Sequence, residues 1–170
     1  MNTHINKNAR PVCQETCRTL DAPAGLEYYA GFISTSEGQT LLTAIDTQPW
    51  EQAGNAPRRV QQYGFKYEHA LRELSKEGAL SLPAWLQPLV DRVVALGIID
   101  PAPHQVIINE YLPGQGIRPH VDHPQHFGPT VVSISLGSSA IMRFTSLSDP
   151  TIVKDIFLEP GSLVALKRTS

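Results

Sequence analysis

Asn109-Glu110-Tyr111-Leu112-Pro113-Gly114-Gln115-Gly116-Ile117-Arg118-Pro119-His120-Val121-Asp122 decides how the rest of this 170-residue chain is read. His120 and Asp122 lie two residues apart. In extended backbone, alternate side chains share a face, so both can aim at one point without a helix. A neutral imidazole nitrogen and a carboxylate oxygen are ligand types of the two-histidine, one-carboxylate triad, which leaves positions open on a divalent iron. By the same parity Asn109 and Tyr111 share one face, and Glu110 and Leu112 share the other. Pro113-Gly114-Gln115-Gly116 between the pairs is turn chemistry. The expectation is a strand, a tight reversal and the entrance to a second strand. Asn109, Tyr111, His120 and Asp122 then face one cavity. His-x-Asp recurs by chance, so the surrounding chain has to carry the reading.

The length suits one domain with a real core. Hydrophobic residues make up 41% and charged residues 18%, a globular rather than a disordered balance. Fourteen prolines and twelve glycines imply many turns, as short-stranded β architectures need. A formal net charge of −2 gives no global basic signal, so a nucleic-acid partner would be held by a local patch. No apolar run approaches the ~20 residues of a membrane span. The N-terminus lacks the apolar core of a signal peptide. The expected protein is soluble, intracellular and cytoplasmic, with no membrane partner. Cys13 and Cys17 sit in a polar leader and read as two free thiols; a zinc site with His4 would depart from the usual ligand spacings. The expected organisation is a flexible leader over residues 1–24 and one domain over residues 25–170.

Residues 26–33 are rich in aromatic and β-prone side chains and predict a first strand. Ser34 and Glu37 then form a capping box for a helix that runs through Ile45 and stops before Pro49. Arg58, Arg59, Tyr63 and Tyr67 lie in the most basic and aromatic stretch. Two readings stand side by side there: a solvated edge strand, or a face offering arginine to phosphate and tyrosine to bases. Residues 83–96 predict a second helix capped by Ser81, with Trp85, Leu86, Leu89, Val90, Val93 and Val94 at helical spacing facing a sheet. From Gln105 onward the pattern is β. Strands are expected over 105–112, 130–136, 139–145, 152–158 and from 162. Gly137-Ser138 reads as a hairpin joining two of them, and Glu159-Pro160-Gly161 as another turn. Two helices followed by short antiparallel strands predict helices on one face of a β-sandwich or jelly roll.

These residues carry a family resemblance. Asn109, Tyr111, Pro113, Gly114, Ile117, His120 and Asp122 resemble the core motif of the AlkB-like iron(II)/2-oxoglutarate dioxygenases. Residues 132–137, Met142-Arg143-Phe144 and residues 158–163 resemble the strands and turn that follow it, and residues 59–64 resemble an upstream family segment. The resemblance implies a mainly β, α+β fold: a double-stranded β-helix of jelly-roll type with the two N-terminal helices packed on one face. It implies His120 and Asp122 as iron ligands, and Asn109 and Tyr111 as hydrogen-bond partners of 2-oxoglutarate. Fe(II), 2-oxoglutarate and O2 are then the cofactors and co-substrates. The implied reaction hydroxylates a C–H bond while 2-oxoglutarate becomes succinate; on an N-methyl group the product collapses to amine and formaldehyde. The implied substrates are alkylated DNA or RNA (tRNA among them) or protein.

The resemblance also implies a third ligand, a histidine on a later strand, followed by an arginine for the far carboxylate. No histidine follows His126 in this sequence. His123 has the wrong strand parity; His126 would have to bend back. The expectation is therefore a jelly roll whose last strands are missing, with unpaired edges and exposed apolar faces. The residues after Asp122 lack the acidic side chain that some DNA-repair members carry there. Three readings follow: an oxidative demethylase or hydroxylase of alkylated nucleic-acid bases, a truncated inactive family member, or a metal-independent RNA- or protein-binding β-sandwich that uses the Arg58–Tyr67 stretch.

Overall fold

The computed structural model describes residues 22–54, 56–68, 73–75, 81–122 and 127–168, with backbone alone for 66–68 and 73–75. The strands are Leu26–Tyr29 (β1), Glu51–Gln52 (β2), Arg59–Gly64 (β3), Lys66–Glu68 (β4), Glu73–Ser75 (β5), Gln105–Glu110 (β6), Thr130–Ile134 (β7), Ala140–Thr145 (β8), Val153–Leu158 (β9) and Leu163–Lys167 (β10). The helices are Thr35–Asp46 (α1) and Gln87–Ala95 (α2).

Strand β10 is the centre. It pairs antiparallel with β1 on one side and β7 on the other. Alternate residues of a strand face opposite ways, and here both faces are apolar. Leu163 and Ala165 face a cluster that contains Phe32, Ile33, Leu41 of α1, Val93 of α2 and Ile98. Val164 faces Leu26, Tyr28, Ile156 and Leu158. The β1–β10–β7 sheet is thus a middle layer, with both helices on one side and the β8–β9 pair on the other. Burying each large aliphatic side chain here contributes about 1.5–3 kcal/mol.

The pairing is nested. β8 and β9 pair with each other, while the strands that flank them, β7 and β10, pair in the opposite sheet. That nesting is the jelly-roll arrangement. It corrects the hairpin expected at Gly137-Ser138. Gly137 does take the positive φ of a turn residue (+80°), but the chain there crosses between sheets rather than folding back on β7. A second sheet, β2–β3–β6, runs Arg59 opposite Glu110 and Gly64 opposite Gln105.

Ser34 caps α1, its Oγ accepting from the Glu37 N–H at 3.2 Å. This is one half of the expected capping box, since the Glu37 carboxylate turns to Arg92 instead of back to Ser34. The Glu37 carboxylate takes a two-pronged contact from Arg92 of α2 (3.2 and 2.5 Å), and Arg92 lies 4.7 Å over the Phe32 ring. The two helices are therefore joined by polar as well as apolar contacts. The second helix departs from expectation. It opens with a 3-10 turn, Ala84–Leu86, with Pro83 rather than Ser81 at the boundary. Pro88 explains this: it has no N–H to continue an α ladder backward, so the α-helix proper begins beside it. No helix among the described residues is long and apolar enough to cross a membrane.

Candidate functional site

Strand β6 delivers Asn109 at its penultimate position and ends one residue before Tyr111. The chain then reverses through Leu112-Pro113-Gly114-Gln115. The Gln115 N–H donates to the Leu112 carbonyl at 2.9 Å, and Gly114 has φ +83°. Proline at the second and a positive-φ glycine at the third position are the type II pattern. Gln115, an unspecified position in the sequence motif, does more than close the turn. Its Oε1 accepts from the Leu112 N–H (2.9 Å), and its Nε2 donates to the Pro57 carbonyl (3.3 Å). The turn is thereby tied to the chain just before β3.

Arg58 makes a second tie. It is 9% exposed, and its Nε donates to Asn109 Oδ1 at 2.9 Å. Partial desolvation pushes the Tyr111 hydroxyl above its ordinary value although the residue is exposed overall, while the Arg58 charge pulls the other way. Tyr111 is thus a protonated phenol at neutral pH, available as a donor. The parity read from sequence holds: Asn109 and Tyr111 face Arg58, and Glu110 faces away. Glu110 pairs there with Arg59, through Arg59 Nη2 at 2.8 Å and a shorter contact from Nε. Arg59 also lies 4.5 Å over the Trp50 ring. Its guanidinium holds the Glu110 carboxyl below the usual carboxylate range.

His120 and Asp122 lie in irregular chain, not in the strand entrance expected there. Pro119 has no N–H to give a ladder, and the preceding residue is restricted by it. The two side chains nevertheless converge, His120 Nε2 lying 3.6 Å from Asp122 Oδ1. The His120 Nδ1 sits 2.8 Å from the Arg118 carbonyl. A carbonyl only accepts, so Nδ1 carries a proton, and Nε2 is the ring nitrogen turned toward Asp122. The Asp122 main-chain carbonyl accepts from Arg168 Nη2 at 3.3 Å.

Donor type and spacing fit two positions on a divalent ion, because bonds of about 2.0–2.2 Å from imidazole and carboxylate can meet between atoms this far apart. Among the described residues no group of three or more His, Cys, Asp or Glu side chains is placed to hold a metal. His4, His69, His123, His126, Cys13, Cys17 and the Tyr67 side chain lie outside the described residues. His104 is elsewhere, stacked on Phe65 with ring centroids 5.8 Å apart.

The basic and aromatic stretch divides. Arg58 turns inward to Asn109, and Arg59 is half-exposed on the opposite face. Tyr63 is 4% exposed; its hydroxyl donates to Gln61 Oε1 at 3.0 Å and its ring meets Trp85 edge-on. It is a core residue, not a surface on which a base could stack. The Arg58–Asn109 contact was not readable from sequence, because the cross-strand register of β3 and β6 sets it.

Residues 25–170 match the family described as the 2OG-Fe(II) oxygenase superfamily. An "Alkylated DNA repair protein ALKBH8 homolog" of Arabidopsis thaliana is 30% identical over 164 residues, covering 84% of this chain and 47% of that protein. A "tRNA (carboxymethyluridine(34)-5-O)-methyltransferase alkbh8" of Xenopus tropicalis is 33% identical over 126 residues, covering 72% of this chain and 20% of that protein. The chain thus spans from about a fifth to about half of these two relatives. Among solved structures, that of "OsALKBH1" shares the fold with a TM-score of 0.67 at 15% identity, covering 86% of this chain and 81% of that one.

Proposed function

This chain belongs to the AlkB-like 2OG-Fe(II) oxygenases, and from that premise we propose that it oxidises alkylated nucleic-acid bases with Fe(II) and 2-oxoglutarate. The observation that carries the reading is the pairing of two constellations on one short segment. Asn109 and Tyr111 present donors beside a buried cation, and His120 Nε2 and Asp122 Oδ1 converge at 3.6 Å. In this reading His120 and Asp122 are two of the iron ligands. When bound, iron, 2-oxoglutarate and dioxygen together supply a C–H hydroxylation coupled to release of succinate and carbon dioxide. The chain's own contribution is positional. The Arg118 carbonyl fixes the His120 tautomer, Gln115 holds the turn, and Asn109 and Tyr111 donate to the co-substrate. Nucleic acid as substrate is supported by the relatives whose names specify alkylated DNA and tRNA. Arg59 is the half-exposed arginine of the basic stretch; in this reading a phosphate meets it by exchanging with the Glu110 carboxylate that it pairs with.

Succinate formation with Fe(II) and ascorbate, with and without a methylated single-stranded oligonucleotide, tests the proposal. Expected is turnover that the methylated oligonucleotide stimulates and that His120→Ala and Asp122→Ala abolish. Absence of both turnover and Fe(II) binding in the wild-type chain would sink it. Binding of 2-oxoglutarate without turnover would favour an inactive family member.

A further inference from the structure

Arg58 is nine-tenths buried, and no carboxylate pairs with it among the described residues; its side-chain hydrogen bond there goes to a neutral amide. A buried cation is costly unless something offsets its charge. Arginine offers five N–H donors and no acceptor. Its contact with Asn109 therefore settles which half of that amide is which: Oδ1 must face Arg58 Nε. The Asn109 Nδ2 donors are left for something else, and Asn109 itself is exposed. Tyr111, also exposed on this face, lies within the field of the same guanidinium. Two neutral donors at an open surface, backed by a buried positive charge, make a patch for a compact anion without acceptor needs of its own.

We propose that Arg58 is a positioning residue for the 2-oxo acid: it locks the Asn109 amide with Nδ2 outward, and its charge is the counterion for the carboxylate that Asn109 and Tyr111 grip. This rests on the co-substrate reading of Asn109 and Tyr111 given above, and it moves Arg58 from nucleic-acid contact to co-substrate support. The sheet register makes the contact possible, since Arg58 precedes the Arg59–Glu110 pair and so stands at the end of β6 where Asn109 and Tyr111 emerge.

Calorimetric titration of 2-oxoglutarate in the presence of Mn(II), alongside oligonucleotide titration, tests this in wild type, Arg58→Lys, Arg58→Gln, Asn109→Ala and Arg58→Gln/Asn109→Ala. Arg58→Gln is expected to weaken 2-oxoglutarate binding tenfold or more while leaving Mn(II) and oligonucleotide affinity within twofold. The double variant is expected to be weaker than Asn109→Ala, because the counterion charge goes as well, but by less than the product of the two single losses, because both single variants disturb the same Asn109 donor. Arg58→Lys keeps the charge but not the fork, so it is expected to fall between wild type and Arg58→Gln; it also serves as the folded control. In the wild type, the Asn109 side-chain NH2 resonances should shift on adding 2-oxoglutarate. Wild-type and Arg58→Gln chains that bind 2-oxoglutarate equally would overturn the role of Arg58, and a selective loss of oligonucleotide affinity would return it to nucleic-acid contact. A wild-type chain that binds no 2-oxoglutarate would instead remove the co-substrate reading, and this inference with it.

Discussion

The molecule uses the same turn chemistry twice, in opposite surroundings. Leu112-Pro113-Gly114-Gln115 and Glu159-Pro160-Gly161-Ser162 are both closed by a bond from the fourth N–H to the first carbonyl (2.9 and 3.0 Å). Both put glycine at φ just above +80°. At Gly161 an added Cβ would lie 2.3 Å from the Ile33 carbonyl oxygen, whereas at Gly114 it would meet nothing within 4 Å. Gly161 feeds β10, whose Leu163, Val164 and Ala165 are 0–1% exposed. Its N–H donates to the Ser135 carbonyl, and its own carbonyl accepts from the Ile33 N–H. Gly114 sits in a segment where Leu112, Ile117 and Val121 are exposed and side-chain hydrogen bonds from Gln115 and Arg58 do the holding. One turn is packed into the frame. The other leaves exposed side chains at its edge.

Substitution at the two glycines separates packing from backbone strain. Gly161→Ala combines left-handed strain with a backbone collision, and is expected to destabilise by about 2–5 kcal/mol in chemical denaturation. Gly114→Ala carries the strain alone, and the expectation is about 1–2 kcal/mol. Equal losses at the two sites would mean that packing around Gly161 relaxes and that the two turns differ less than their surroundings suggest. The smallest effect belongs to Glu110→Gln, on the far face of the site strand. Because Arg59 depresses the Glu110 carboxyl, its contribution is present at neutral pH, above the unfolded value, and is lost as pH falls through the depressed folded value. The variant should therefore unfold like wild type under acid and fall slightly below it at neutral pH. An unchanged difference at every pH would show that the exposed pair contributes nothing through charge.

Much of the fold was legible because its signals are local. Ser34 with Glu37 marked a helix start. The two Pro-Gly pairs marked turns, and strand parity sorted Asn109 and Tyr111 from Glu110. What escaped was set at long range. Gly137-Ser138 looks like a hairpin to any local rule, yet β7 takes its partner from β10. The 3-10 start of the second helix hung on Pro88, which periodicity alone passes over. Tyr63 read as a surface aromatic because its neighbours in sequence are polar, but Trp85 and Gln61 enclose it. In the site, residue types named His120 and Asp122, while the inward turn of Arg58 awaited the β3–β6 register.

The pairing of β1 with β10, Leu26 opposite Leu166, has a temporal side. The strand next to the N-terminal helix cannot complete its ladder until nearly the whole described chain exists, so the central sheet closes last during synthesis. The inner β8–β9 hairpin closes a short loop at small entropic cost, and the enclosing β7–β10 pair a longer one. The outermost β1–β10 closure spans most of the polypeptide. Contacts of such sequence separation slow folding. Until they form, the apolar face of α1 and one edge of β10 are surfaces that a nascent chain must keep from other chains.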